Sequence, residues 1–157
     1  HAIKLLSEKD GYIPGMVVWL RPTSPFREVK HIDEAVKILI SNPAADSVRS
    51  VCPAPKHPLK MWRIKSERLA PFVPEELTGI KEQYNYPRQK LPAAYVQNGA
   101  IDVIHIKTII EKKSITGDII LPYIMDDVYS INIDTQLDFK FAEIVMKEGL
   151  DSSNFQF

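Results

Sequence analysis

The apolar positions of this chain change period as they run along it. Near the start Ala2, Ile3, Leu5 and Leu6 recur at helical spacing and Gly11 follows, which predicts the tail of an amphipathic helix lacking an N-cap. Residues 16–20, MVVWL, form an unbroken apolar run rich in β-branched side chains, the pattern of a strand covered on both faces. In HIDEAVKILISNP the residues Ile32, Ala35, Val36, Leu39 and Ile40 share one helical face, and Pro43 closes it. Residues 46–55 read as a second strand that ends at its prolines. Residues 99–106 predict a third strand and 107–113 a helix. Residues 129–133 then predict a last strand and 135–149 a last helix, capped by Asp134 or Thr135 and ended by Gly149. Such alternation predicts one α/β domain over residues 1–157, built on a parallel sheet.

Between these regular parts the texture breaks. Prolines at 53, 55, 58, 71, 74, 87 and 92 exclude long helices and central strands, and Trp62, Phe72, Tyr84 and Tyr86 stand among them. Aromatics in a long proline-rich excursion predict a small β insertion, about residues 61–92, that meets another subunit.

Charge changes the picture by exclusion. Twenty basic against twenty acidic residues leave no net charge, which argues against binding nucleic acid or anionic membrane by bulk electrostatics. An anionic ligand would have to be met by a local cluster. Cys52 is the only cysteine, so no intrachain disulfide forms, and no apolar run reaches the length needed to span a bilayer. A reducing, cytoplasmic setting is expected.

Three segments carry candidate chemistry, each following a strand or preceding a helix, where open α/β sheets bind ligands. In LRPTSPFR, residues 20–27, Arg21 and Arg27 offer guanidinium forks and Thr23 and Ser24 offer hydroxyls, a set suited to phosphate or carboxylate. The alternative is a proline-stiffened turn whose arginines face water. In YPRQKLPAAYVQNGA, residues 86–100, Arg88 and Gln89 are pinned between prolines, and Asn98-Gly99 reads as a sharp turn into a strand. In SINIDTQLDF, Asn132 and Asp134 leave a strand on one side, two residues apart, a spacing that suits Mg²⁺. Plain helix capping by Asp134 is the equal alternative. The histidines at 1, 31, 57 and 105 have no zinc spacing, and Cys52 and His57 read as structural.

Together the three segments resemble motifs of the acylneuraminate cytidylyltransferases, the CMP-sialic acid synthetases. LRPTSPFR is similar to LQPTSPLR of that family, RQKLPAAYVQNGAI to RQ-x-LP-x-x-Y-x-x-NGAIY, and INIDTQLDF to DIDT-x-x-DF. The resemblance runs from about His1 to Met146 and corresponds to the family's C-terminal two-thirds. It implies a Rossmann-like nucleotidyltransferase fold, of the nucleotide-diphospho-sugar transferase kind, N-terminally incomplete and carrying a small β dimerisation insertion. It implies transfer of a cytidylyl group from CTP to a nine-carbon 2-keto acid sugar, with pyrophosphate released and Mg²⁺ as the cofactor. It also implies a homodimer, and roles for single residues. Arg88 would be the catalytic cation, Arg21, Ser24, Gln89 and Asn98 would line the substrate site, and Asp134 with Asn132 would hold the metal.

The chain departs from the family pattern at identifiable places. The family's first strand and glycine-rich basic loop, which hold the nucleotide, have no counterpart in the sequence, so either the sequence is part of a longer enzyme, or a non-catalytic dimerising fragment or homologue is the competing expectation. Asn132 stands where the first Asp of the DID pattern is usual, which removes a negative charge from the metal site. Arg21 replaces a common Gln and Asp102 a common Tyr. The extra cation at 21 points to another acid of the same sugar class, such as legionaminate or pseudaminate.

Overall fold

The computed structural model describes residues 2–149. Its elements run α1 (Ala2–Asp10), β1 (Met16–Trp19), α2 (Val29–Ser41), β2 (Ser47–Pro53), β3 (Trp62–Lys65), β4 (Arg68–Pro71), α3 (Glu75–Thr78), β5 (Tyr95–His105), α4 (Ile106–Ile110), β6 (Ile120–Ile124) and α5 (Gln136–Glu148). Four short 3₁₀ turns lie between them, at Pro58–Lys60, Gln83–Asn85, Arg88–Lys90 and Asp127–Ser130. The described residues divide into two compact units, residues 2–52 with 97–149, and Pro53–Val96.

The first unit is a mixed α/β layer structure. Its sheet has the order β1-β5-β2-β6. β2 and β6 pair in parallel, Val48 opposite Leu121, whereas β1 and β5 pair antiparallel, Val18 opposite Val103. β5 also runs against β2, since His105 N bonds Asp46 O at one end and Ser50 Oγ bonds Ile101 N further along. The expectation of a parallel sheet holds for β2 with β6 and is corrected for β5, which runs against both its neighbours. β5 is the reversed strand, because it takes up the sheet where β2 left it instead of crossing over through a helix.

A second correction concerns the last strand. Residues 129–133 are not paired in the sheet; Tyr129 and Ser130 end the 3₁₀ turn, and Tyr129, Ile131 and Ile133 pack with Phe26, Val128 and, from α5, Ala142 and Val145. Their alternation reflects side-chain packing, with Ile133 N bonded to Thr23 O at 2.8 Å. The sheet strand is instead ILPYI at 120–124. Pro122 argues against a central strand, but β6 lies at the sheet edge, where a missing N–H is tolerated. The helix expected over 107–113 is shorter, Ile106–Ile110, with Lys113 in the left-handed region at φ 52°.

The core joins α2 to one sheet face. Ala35 and Leu39 from α2 meet Val48, Ile101, Val103 and Tyr123, all buried. The Tyr123 hydroxyl reaches Glu34 Oε2 at 2.6 Å, and burial together with that carboxylate pushes its pKa up.

At the start of β2 a carboxylate ties the unit together. Asp46 Oδ2 accepts from Ile119 N at 3.0 Å, from Lys112 Nζ at 2.8 Å and from Asp118 N at 2.8 Å. These donors, led by the Ile119 amide, hold its pKa well below the ordinary carboxylate range. The unfolded chain therefore binds this proton more readily than the folded one. Stability from Asp46 is complete above the unfolded carboxyl value and is lost as pH falls through the lower folded one. The unfolding midpoint should drop between about pH 5 and pH 2, and Asp46→Asn should flatten that slope. Equal slopes in both proteins would show that Asp46 is not the group responsible.

The second unit is small and polar-braced. β3 and β4 form a hairpin with Ile64 opposite Leu69. Its turn places both Ser66 and Glu67 at positive φ, 49° and 62°, as a two-residue hairpin turn of the primed type requires. Gln83 is fully buried, and its amide donates to Val73 O and accepts from the Thr78 hydroxyl, each at 2.6 Å. His57 caps the turn at Pro58–Lys60. Its Nδ1 accepts from Leu59 N, which leaves Nε2–H to donate to Pro92 O at 2.8 Å. Both ring nitrogens are thus spent on structure.

Candidate functional site

In the first unit the three motifs meet through one hydroxyl. The loop after β1 is braced from within, since Arg27 Nη1 donates to the carbonyls of Arg21 and Ser24 at 2.7 and 2.6 Å. Arg27 is thereby a strut of the loop. Ser24 has no exposed surface, and its Oγ lies 3.2 Å from Asn98 O and 3.1 Å from Asn132 Oδ1. Residues 24, 98 and 132, far apart in sequence, are joined at that point.

Asn98 is the second hub. Its Oδ1 accepts from Ser50 Oγ at 2.6 Å and from Ala100 N at 3.1 Å, and its Nδ2 donates to Ser130 Oγ at 2.9 Å. With the side chain 4% exposed, its amide is fully committed and fixes β5, β2 and the 127–130 turn in place. Asn98-Gly99 is not a turn into a strand; both residues lie inside β5. Gly99 adopts φ 74°, a local irregularity within the ladder. A Cβ there would come 2.9 Å from Arg21 Nη1, so the glycine gives that guanidinium its place.

Arg21 is held on several sides. Its Nη2 lies 3.3 Å from Asp102 Oδ2, the Gln97 amide oxygen accepts from Nη1 and Nη2 at 2.9 Å, and its guanidinium sits 5.4 Å over the Trp19 ring. Asp102 Oδ1 in turn accepts from Arg49 Nε at 2.7 Å. The departures from the family motifs at 21 and 102 are thus the two halves of one ion pair. Sequence reasoning noted Asp102 only as a departure from the motif and missed Gln97 and Arg49. The available signal was the single carboxylate in the apolar run AIDVI, since a buried charge needs a partner.

Before α5 the structure separates two roles that the sequence left level. Thr135 is the N-cap: its Oγ1 accepts from Asp138 N, and Asp138 Oδ2 accepts from Thr135 N at 2.7 Å. The Thr135 hydroxyl and amide hold the Asp138 carboxyl below its usual range. Asp134 takes no part in the cap through its side chain. Its exposed carboxylate accepts only from Asn132 Nδ2, at 2.7 Å, among the described residues. Asn132 turns an N–H toward Asp134 and its oxygen toward Ser24, so it orients the carboxylate. No group of three or more His, Cys, Asp or Glu side chains able to hold a metal occurs among the described residues. One free carboxylate fits Mg²⁺, which keeps waters and shares substrate phosphates; it does not fit a metal enclosed by protein ligands.

Arg88 and Gln89 belong to the second unit, on the turn Arg88–Lys90. Arg88 is exposed yet anchored, with Nη2 donating to Ala54 O at 2.7 Å beside a cleft of about 160 Å³ that His57, Leu91 and Tyr95 also line. The Gln89 side chain is exposed and makes no hydrogen bond among the described residues. Of the other candidates, Cys52 is buried with its thiol pKa pushed up by burial, which suits a core residue and not a nucleophile. His1 lies outside the described residues. No described helix is long and apolar enough to cross a membrane.

No protein-family model matches the chain. Curated relatives do. An N-acylneuraminate cytidylyltransferase of Escherichia coli is 28% identical over 148 residues, 94% of this chain and 32% of that protein. One of Streptococcus agalactiae is 31% identical over 122 residues, 78% of this chain and 28% of the relative. The CMP-N,N'-diacetyllegionaminic acid synthase of Legionella pneumophila is 34% identical over 134 residues, 83% of this chain and 53% of that protein. The chain spans about a third of the length of the first two and about half of the third.

Proposed function

We propose that this chain, related over most of its length to the N-acylneuraminate cytidylyltransferases, supports transfer of a cytidylyl group from CTP to a nine-carbon 2-keto acid sugar. The observation that carries the reading is the meeting of three distant motif segments at Ser24 Oγ, 3.2 Å from Asn98 O and 3.1 Å from Asn132 Oδ1. On this reading the mixed sheet is part of a Rossmann-like nucleotidyltransferase fold. In the reaction the anomeric hydroxyl attacks the α-phosphorus of CTP and pyrophosphate leaves. Such a transfer is catalysed mainly by positioning and by stabilising charge. Asp134 would hold Mg²⁺, which when bound supplies neutralisation of phosphate charge. Arg88 would supply a fixed cation, Arg21 and Gln89 would contact the substrate, and in the first unit buried Ser24 and Asn98 brace the segments that carry Arg21 and Asp134. A legionaminate-like acid is the second candidate sugar, favoured by Arg21 and by the Legionella relative. A cytoplasmic setting belongs to the same proposal.

In the complete protein, CTP with Mg²⁺, and separately N-acetylneuraminate, should raise the unfolding midpoint, because a ligand that binds only the folded state stabilises it by mass action. ATP with Mg²⁺ should not. Equal shifts with ATP and CTP, or no shift with any ligand, would contradict the reading.

The assembly is proposed to be a homodimer. One hairpin face presents Trp62, Ile64, Leu69 and Pro71, with Ile64 80% and Leu69 64% exposed, while Arg63, Lys65 and Arg68 occupy the other. An exposed apolar strand face needs a cover. Ile64→Lys should convert a dimer to a monomer in sedimentation without lowering the unfolding midpoint of the monomer. A monomeric parent protein would remove this assignment.

A further inference from the structure

Asp102 occupies a strand position that its neighbours would suit to an apolar side chain. Ala100, Ile101, Val103 and Ile104 are all buried, and Asp102 itself is 3% exposed. Placing a carboxylate there costs desolvation, which a single guanidinium would offset in charge. Two are present, Arg21 at 3.3 Å and Arg49 at 2.7 Å, so one positive charge is left over. The three residues come from neighbouring chain segments of the sheet: Arg21 just beyond β1, Asp102 on β5 opposite Trp19, and Arg49 on β2. Their donors are not all spent. Arg49 uses only Nε on Asp102, its terminal nitrogens have no protein partner among the described residues, and its side chain is 23% exposed. Arg21, at 31%, also reaches the surface.

We propose that Asp102 is a positioning residue that aims Arg49 and Arg21 as a receptor for a small oxyanion, with the terminal nitrogens of Arg49 making the direct contact. The carboxylate of the sugar acid and a phosphate group share the required chemistry, a planar or tetrahedral oxyanion that takes paired N–H donors. Assignment to the sugar carboxylate rests on the function proposed above; the receptor itself does not. A guanidinium fixed by a carboxylate at Nε loses little freedom when it binds, which favours recognition over mere neutralisation.

Calorimetric titration of the protein with N-acetylneuraminate, with its methyl ester and with inorganic phosphate tests this. The acid should bind more tightly than the ester, and Arg49→Gln should weaken the acid roughly ten- to a hundredfold, the worth of a hydrogen bond to a charged group, while leaving the ester unchanged. Arg49→Lys should recover part of the loss, which a purely structural role would not predict. Asp102→Asn should weaken the acid in the same sense. If that variant fails to fold, the partly exposed Arg49 pair decides alone. Phosphate binding that depends on Arg49, without binding of the sugar acid, would support the receptor and overturn the sugar assignment. Acid and ester bound equally, with Arg49→Gln indistinguishable from the parent, would overturn the receptor and leave the sugar reading standing. Failure of acid, ester and phosphate all to bind would overturn both.

Discussion

Replacing Asp134 by alanine in the complete enzyme should, on the proposed function, cut CTP-dependent turnover at least about a hundredfold, the loss typical when one preorganised charge-stabilising group is removed, while the unfolding midpoint stays within about 2 °C. The two halves of that expectation come from different observations. Its exposed carboxylate touches only Asn132 Nδ2 among the described residues, so little packing depends on it. The helix start depends on its neighbours instead, where Thr135 and Asp138 cap each other. The crossed control is Thr135→Ala, which should cost about 1 kcal/mol of stability, as loss of an N-cap does, and leave turnover near the parent value. Loss of activity in the Thr135 variant with retention in the Asp134 variant would invert the assignment and make the segment a helix start and nothing more. Arg88→Ala should resemble Asp134→Ala, because its exposed guanidinium gives up one bond to Ala54 O.

The largest stability effect is expected at Gly117. This residue adopts φ 71°, and a Cβ would overlap Cβ and Cγ of Asp46, at the point where the carboxylate bonds the amides of 118 and 119. Left-handed strain and overpacking each cost on the order of 1–3 kcal/mol. Gly117→Ala should therefore lower stability by about 3 kcal/mol and the midpoint by roughly 6–12 °C for a domain of this size. Gly15→Ala is the matched control, since a Cβ there meets nothing within 4 Å. A Gly117 variant that melts with the parent would mean that the loop can move away and that Asp46 does not fix it.

How much of this was legible in the sequence depended on whether a signal was local. The cores of β1, α2, β2, β5 and α5 followed from apolar periodicity, because each buries a face set by its own repeat. β6 did not, because Pro122 reads as a strand breaker until the strand is known to lie at an edge. Residues 129–133 misled for the opposite reason: their alternation is real, but Tyr129, Ile131 and Ile133 pack against α5 and do not pair in the sheet. Strand direction was also hidden, since a strand that continues beyond an inserted unit carries the same side-chain pattern whether parallel or antiparallel.

At the site, the family resemblance named residues 24, 98 and 132 for substrate and metal, but not the hydrogen bonds that join them. Ser24 and Asn98 are bracing groups, buried behind the surface. Arg27 is a strut, although its sequence context matched that of Arg21. The ion pairs of Asp102 needed coordinates, because Arg21, Arg49 and Asp102 are separated by tens of residues and meet only when β1, β5 and β2 align.

The central claim is the chemistry, and the reaction itself tests it most directly. The complete protein, with any segment that flanks residues 1–157, is incubated with CTP, N-acetylneuraminate and Mg²⁺, and the mixture is read by mass spectrometry for the CMP-linked sugar acid and for pyrophosphate. Both products should appear together and only when both substrates and the metal are present. A folded protein that leaves CTP and the sugar acid unchanged under those conditions would contradict the account.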